Sequence, residues 1–115
     1  MLAKKYRLTA KKDFQHLYKN RKSYQTEFFF VKYLANTLDH SRFAVVISKK
    51  VAARAVDRNK NKRRIKAVLQ HYYQAMSCPV DMVFYIKKDM KELSFVDIQK
   101  VIAIFLKSQG LITTL

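Results

Sequence analysis

The chain has 115 residues, half of them hydrophobic and 13% aromatic, which suffices for one compact domain over residues 1–115 and excludes a disordered basic tail. Its 24 lysine and arginine residues against 8 acidic residues give a net charge of +16, which favours a polyanionic partner and argues against a carboxylate-rich metal centre. One cysteine, Cys78, excludes an internal disulfide, and no apolar run is long enough to span a membrane, so a cytoplasmic protein without a membrane partner is expected.

The first half of the chain predicts one helix followed by strands. Residues Thr9–Lys19 predict a helix with Thr9 as its N-cap, because apolar side chains recur there at helical spacing. The aromatic run FFFVKYL, Phe28–Leu34, predicts a strand, and Ser23–Thr26 has a weaker strand pattern. After a polar turn, RFAVVIS over Arg42–Ser48 predicts a strand that is apolar on both faces and therefore central in the sheet.

The second half predicts a long helix, a strand and a last helix. The helix runs from Asp57 to Met76, and its apolar stripe consists of Ile65, Val68, Leu69, Tyr72, Tyr73 and Met76. Val80–Ile86 predicts a further strand, and Ser94 with Asp97 predicts a capping box that opens the last helix, which ends at Gly110. The predicted fold is an α+β sandwich of three helices on a small mixed sheet, in the order α-β-β-β-α-β-α, with the long helix in a βαβ crossover.

The densest positive charge lies between Lys49 and Lys66, where nine basic residues stand with one acid, Asp57. On a helical wheel, Asn59, Arg63 and Lys66 form one strip about 10 Å long on the side away from the apolar stripe. A merely solvated helix face would mix the two signs of charge to form local pairs, whereas like charges repel one another here. The pattern therefore predicts that this helix binds nucleic acid.

The stretch SKKVAARAVDRNKNKRRIK, residues 48–66, resembles the signature of the protein subunit of bacterial ribonuclease P, in which a strand ending in S-K-K precedes an R-N-R/K-x-K-R helix. Residues 8–18, LTAKKDFQHLY, resemble the family's first helix with its spaced aromatics, and residues 36–42 resemble its turn. The resemblance covers essentially the full chain. Asn61 stands where the family usually has an aliphatic residue, which predicts looser packing at the start of this helix.

The resemblance implies an accessory subunit of a ribonucleoprotein that removes the 5′ leader of precursor tRNA. In this family the active site is RNA with bound Mg²⁺, so the implied partners are the catalytic RNA subunit and the precursor tRNA, with no small-molecule substrate. The residues implied to contact the catalytic RNA are Arg58, Asn59, Lys60, Lys62, Arg63 and Lys66 of the helix, with Lys49, Lys50 and Arg54 of the preceding loop.

The resemblance also implies a cleft between the first helix and the sheet that holds the single-stranded leader. Phe14 and Tyr18, one helical turn apart, match the family's aromatics, although packing in the core explains them equally well. Alignment of FVKY, residues 30–33, places Tyr33 in this cleft, and a shift of one residue would instead present Phe30 and Lys32.

Three other functions stay open from the residues alone. A structural RNA-binding protein of ribosomal type would share the charge but would not need exposed aromatics in a cleft. A DNA-binding regulator would place a short helix before the basic one. A protein-only nuclease would need clustered carboxylates or two placed imidazoles, and His16 and His71 are expected to be surface or packed residues. The sequence therefore predicts no catalytic and no metal-ligating residue in this chain.

Overall fold

The computed structural model describes residues 6–20, 22–76 and 78–112, which form three helices and four strands in the predicted order. The elements are α1 (Lys11–Asn20), β1 (Lys22–Gln25), β2 (Phe29–Ala35), β3 (Arg42–Val46), α2 (Ala55–Tyr72), β4 (Val80–Ile86) and α3 (Phe95–Ser108). The predicted α+β class and the weakly patterned strand before β2 are both confirmed. None of the helices in these ranges is long and apolar enough to cross a membrane.

The four strands form one mixed sheet in the order β1-β2-β4-β3. Strands β1, β2 and β4 pair antiparallel, whereas β3 and β4 pair parallel and are joined through α2, which confirms the βαβ crossover. The prediction that β3 is central is wrong, because it lies at the edge of the sheet. Residues 7 and 8 pair with this edge: Arg7 forms a bridge to Phe43, and the Leu8 amide donates to the Phe43 carbonyl at 2.8 Å.

Side chains that alternate along the strands divide the interior into two cores. Met82, Phe84 and Ile86 of β4 point into the larger core beneath α2 and α3. Val83 of β4 instead packs with Leu8 and Leu17 under α1, so the sheet has helices on both faces. Strand β4 is buried along most of its length for this reason, as its nearly continuous apolar run predicts.

The observed helix ends differ from the predicted ones at α1 and α2 and agree with the prediction at the start of α3. The Ala10 carbonyl accepts from the Asp13 and Phe14 amides at 3.1 and 3.3 Å, so α1 begins at Lys11 and its N-cap is Ala10, one residue after the predicted Thr9. Helix α2 begins two residues before Asp57 and ends at Tyr72, followed by a 3-10 turn. The capping box of Ser94 with Asp97 is confirmed.

An ion-pair cluster fixes α1 on the sheet. The Arg42 guanidinium of β3 donates to both carboxylate oxygens of Asp81 at 2.9 and 2.7 Å, and to Asp13 of α1 at 3.0 Å. Hydrogen bonds to Asp81, more than those to Asp13, raise the pKa of Arg42. The bidentate pair joins β3 to β4 with a specific geometry, and the single further bond to Asp13 ties α1 to these two strands. Tyr18, which follows Leu17 on α1, contacts Tyr85 of β4 and stays partly exposed.

Candidate nucleic-acid interface

Helix α2 separates an apolar face from a basic one. Ile65, Val68, Leu69 and Tyr72 are buried and hold the helix on the sheet. The opposite side presents a groove of about 520 Å³ whose polar lining residues, hereafter the α2 strip, are Asn59, Lys62, Arg63 and Lys66. The strip derived from the helical wheel is thus one continuous surface in the fold, and Lys62 is added to it.

The charge of the α2 strip is not neutralised within the protein. In the described part of the chain, no carboxylate lies within 4.0 Å of the charged groups of Lys62, Arg63 or Lys66. Partial burial, together with the nearby charges of Lys62 and Arg7, lowers the pKa of Lys66. Binding of an external anion would therefore reduce the electrostatic repulsion among these cations.

Asp57, the single acid of this stretch, serves the start of α2. Its carboxylate accepts two hydrogen bonds from Arg54 at 2.9 and 3.2 Å and lies 3.8 Å from the Lys91 ammonium. The Arg54 contact, ahead of all other influences, lowers the pKa of Asp57. A carboxylate in the first helical turn also favours the positive end of the helix dipole.

The remaining basic residues predicted for this interface differ in their surroundings. Lys49 and Lys50 are exposed in the turn that follows β3. The Arg58 guanidinium donates to the Ala52 and Ala53 carbonyls at 3.0 and 2.8 Å and so closes the loop before α2. Lys60 lies on the other flank of α2, towards α3. Arg58 thus has a structural contact in addition to its partly exposed charge.

Asn61 overturns the expectation of looser packing at the start of α2. Its side chain is fully buried, and its amide donates to the Asp57 carbonyl at 2.8 Å and to the Asp89 carboxylate at 2.9 Å. Its side-chain oxygen accepts from the Met90 amide at 2.7 Å. The burial of Asn61 could have been predicted from the sequence, because Asn61 stands four residues before Ile65 and hence on the apolar stripe.

A second surface lies on the other face of the sheet, between α1 and the strands. Its residues, hereafter the aromatic cleft, are Phe14, Tyr18, Phe30, Lys32 and Tyr85. Phe30 and Tyr85 stack with centroids 4.7 Å apart and an interplanar angle of 10°, and the Tyr18 and Tyr85 hydroxyls lie 2.5 Å apart. The Lys32 ammonium lies 5.0 Å from the Tyr18 centroid and 5.2 Å from that of Tyr85. Tyr18 remains 42% exposed.

Tyr33 does not belong to this cleft, so its predicted placement there is wrong. It is paired with Met82 and faces the larger core, where it is 5% exposed. Its hydroxyl donates to the Gln109 side chain at 2.5 Å, and burial raises the pKa of Tyr33. The alternative register, which presents Phe30 and Lys32, is the observed one.

Tyr85 is the member of the cleft that the sequence prediction missed. It is the register partner of Phe30, two residues beyond Val83 on the same face of β4. Strict alternation along VDMVFYI would have separated Tyr85 from Met82 and Phe84, but the run is apolar at nearly every position and conceals its period.

Acidic side chains contribute little to either surface. Within residues 6–20, 22–76 and 78–112, no three His, Cys, Asp or Glu side chains lie together so that they could hold a metal ion. Asp13 and Asp81, which do approach each other, both face Arg42. The groups that these surfaces offer are cations, which bind phosphate, and aromatic rings, on which bases stack.

Comparison with known proteins agrees with this geometry. The family model described as Ribonuclease P matches residues 2–109. The chain is 28% identical over 111 residues to the ribonuclease P protein component of Syntrophomonas wolfei, covering 96% of this chain and 92% of the relative. It is 31% identical over 99 residues to that of Streptococcus pneumoniae, covering 86% and 80%.

Two solved structures share the fold over nearly the whole chain. The RNase P protein of Staphylococcus aureus superposes with a TM-score of 0.81 at 28% identity, covering 94% of this chain and 98% of the other. The RNase P protein of Thermotoga maritima superposes with a TM-score of 0.77 at 28% identity, covering 89% and 96%.

Proposed function

Because this chain belongs to the ribonuclease P protein family, and is thus the protein component of an endoribonuclease, we propose that it binds two RNAs on opposite faces of its sheet. The α2 strip binds the backbone of the catalytic RNA subunit. The aromatic cleft binds the single-stranded 5′ leader of precursor tRNA. The assembled enzyme then cuts the phosphodiester bond that joins the leader to the mature tRNA.

The observation that carries the proposal is the uncompensated charge of the α2 strip. Lys62, Arg63 and Lys66 lie in one groove without a carboxylate partner among the described residues, and partial burial, followed by the charges of Lys62 and Arg7, lowers the pKa of Lys66. Phosphates along an RNA strand relieve this repulsion and release counterions, which makes binding favourable and dependent on salt. Further positive charge comes from Lys49, Lys50 and Arg58, from Arg54, which is paired with Asp57, and from Lys60 on the flank towards α3.

The aromatic cleft supports a single-stranded second ligand. Stacking on an aromatic ring requires an unpaired base and tolerates any of the four bases, as a leader of variable sequence demands. Phe30 and Tyr85 form a flat, stacked pair, and Tyr18 faces them from α1. The Lys32 ammonium lies among these rings, where it can meet a leader phosphate. A structural RNA-binding protein of ribosomal type would not need such a cleft, so we do not favour that function.

The proposal assigns Mg²⁺ mainly to the catalytic RNA and the substrate. Phosphate oxygens are the hard ligands that Mg²⁺ prefers, and a metal ion held by them would activate water and stabilise the leaving oxygen. This chain's residues hold and orient the two RNAs and offset phosphate charge near them. We expect the enzyme to act in the cytoplasm.

Reconstitution at low Mg²⁺ tests the proposal. Purified protein, the ribonuclease P RNA encoded in the same genome and a precursor tRNA are mixed, and release of the leader is followed over time. We expect faster cleavage than with the RNA alone, because the protein supplies positive charge that would otherwise come from Mg²⁺. Cleavage no faster than with RNA alone would exclude the proposed role, and cleavage by the protein without the RNA would indicate a protein-only nuclease.

A further inference from the structure

A second groove, on the flank of α2 that faces α3, contains an exposed aromatic ring. This α2–α3 groove of about 280 Å³ is lined by Lys60, Arg63, Arg64, Ala67 and Phe95. Phe95 begins α3 and is 44% exposed, although most large aromatic side chains of this protein are largely buried. Three of the five lining residues are cations and none is acidic, so the groove is complementary to an anion that also carries an apolar face.

Hydrogen bonds to the backbone before α3, and not burial of the Phe95 side chain, determine the position of Phe95. The Arg64 guanidinium donates to the Met90 and Leu93 carbonyls, and Asn61 holds the Met90 amide. The capping box of Ser94 then starts α3 directly before Phe95. The backbone that carries Phe95 is therefore fixed beside α2 before any ligand arrives, which lowers the entropic cost of binding.

Exposure alone does not single out Phe95, since isolated apolar side chains are common on protein surfaces. Ile104, on the same helix, is 61% exposed but does not line the groove. What distinguishes Phe95 is its place as the aromatic wall of a cationic groove that shares Arg63 with the α2 strip.

We propose that Phe95 is a stacking platform for an unpaired base of the catalytic RNA, with Lys60 and Arg63 contacting the phosphates beside that base. This assignment rests on the proposed function of the α2 strip and extends it onto α3. The ligand is a bulged or single-stranded nucleotide, because a paired base within a helix offers no free face to a side chain. A protein partner is disfavoured, because its apolar contact would have to bury the three cations of the groove.

Fluorescence tests the stacking directly, because the chain contains no tryptophan. Phe95→Trp places a single fluorophore in the groove, and Ile104→Trp places one on the same helix outside it. We expect titration with the ribonuclease P RNA to quench the tryptophan of the Phe95→Trp variant strongly and to leave that of the Ile104→Trp variant nearly unchanged. Equal responses of the two variants, or no quenching in the Phe95→Trp variant while the RNA binds, would overturn the assignment.

Affinity measurements separate stacking from general apolar contact. Phe95→Leu keeps an apolar side chain but lacks a π face, so we expect it to weaken RNA binding about 5- to 150-fold, as the loss of one stacked base does. Its salt dependence should equal that of the wild type, because no phosphate contact is lost. Wild-type affinity in Phe95→Leu would overturn the stacking role.

Lys66→Ala distinguishes this assignment from the function on which it rests, because Lys66 lines the α2 strip and not the α2–α3 groove. If Lys66→Ala weakens binding and reduces its salt dependence while Phe95→Leu does neither, the α2 strip stands and the stacking platform is excluded. If the wild-type protein does not bind the RNA at all, the proposed function fails and the stacking platform fails with it. Unfolding curves of the Phe95 variants confirm that each one is folded.

Discussion

At the scale of single residues, the charge of Lys66 is expected to lower the stability of the folded protein and to strengthen its binding to RNA. It is half-buried on α2, one helical turn after Lys62, and its lowered pKa reflects first the loss of water and then the charges of Lys62 and Arg7. The folded protein thus binds this proton less tightly than the unfolded chain does. The charged form of Lys66 therefore lowers the stability of the isolated protein, and under the proposed function it contacts RNA.

Replacing Lys66 by methionine should separate these two effects. We expect the free energy of unfolding to rise by a few tenths of a kcal/mol, the usual size of a like-charge pair one turn apart, whereas RNA binding weakens. The gain in stability should shrink as the pH rises through the lowered pKa of Lys66 towards its ordinary value of 10.5, because the wild-type residue then loses its proton too. Urea unfolding of both proteins at several pH values measures this difference in the free energy of unfolding. A variant less stable than the wild type at neutral pH would contradict the repulsion.

Asn61 is a structural residue inside a basic motif, and a neighbouring asparagine provides its control. Asn61→Ala leaves the buried Met90 amide without its acceptor, so we expect a loss of roughly 1–3 kcal/mol in the free energy of unfolding. Asn59→Ala, at an exposed site, should change it by less than about 0.5 kcal/mol but weaken RNA binding. Equal unfolding midpoints for the two variants would show that the Asn61 hydrogen bonds contribute no stability.

At the scale of elements, the position of α1 and the register of β2 together create the aromatic cleft. Arg42 ties α1 to β4 through Asp13 and Asp81, and Tyr18 of α1 contacts Tyr85 of β4. The register of β2 against β4 then decides which aromatics Tyr18 faces, because a shift of one residue exchanges the two faces of a strand. Phe30 and Lys32 face α1, and Tyr33 faces the larger core.

Leader binding should therefore depend on Tyr18 and Tyr85 and not on the Tyr33 hydroxyl. We expect Tyr18→Ala and Tyr85→Leu each to weaken the affinity of the reconstituted enzyme for precursor tRNA about 5- to 150-fold. Affinity for mature tRNA, which lacks a leader, should not change. Tyr33→Phe is the matched control and should bind precursor tRNA like the wild type. If the Tyr33 variant loses leader affinity while the Tyr85 variant keeps it, the cleft lies elsewhere.

Most elements could be predicted from the sequence, because their periods are local properties of the chain. The capping box of Ser94, the apolar stripe of α2 and the limits of β4 needed no tertiary information. The edge position of β3 was not predictable from the sequence. Apolar residues on both faces of a strand show that both faces are covered, but they do not show how many strands pair with it. Tyr85 was missed for a related reason, because a strand buried on both faces does not reveal which side chains share a face.

At the scale of the whole molecule, the sheet carries two surfaces of different chemistry on its two faces. The α2 strip presents cations that no carboxylate of the described ranges pairs with, and the aromatic cleft presents rings with one ammonium. A net charge of +16 attracts any polyanion from a distance, so it cannot by itself distinguish the correct surface from the rest of the protein. A decisive experiment must therefore compare variants that have the same net charge but lack positive charges at different positions.

The salt dependence of binding to the ribonuclease P RNA meets this requirement. Arg63→Ala with Lys66→Ala removes two charges from the α2 strip, and Lys87→Ala with Lys107→Ala removes two exposed charges elsewhere. We predict that the slope of log affinity against log salt falls by ~0.7–0.9 per lost phosphate contact in the first variant and stays at the wild-type value in the second. Equal slopes for the two variants would contradict the placement of the RNA along α2.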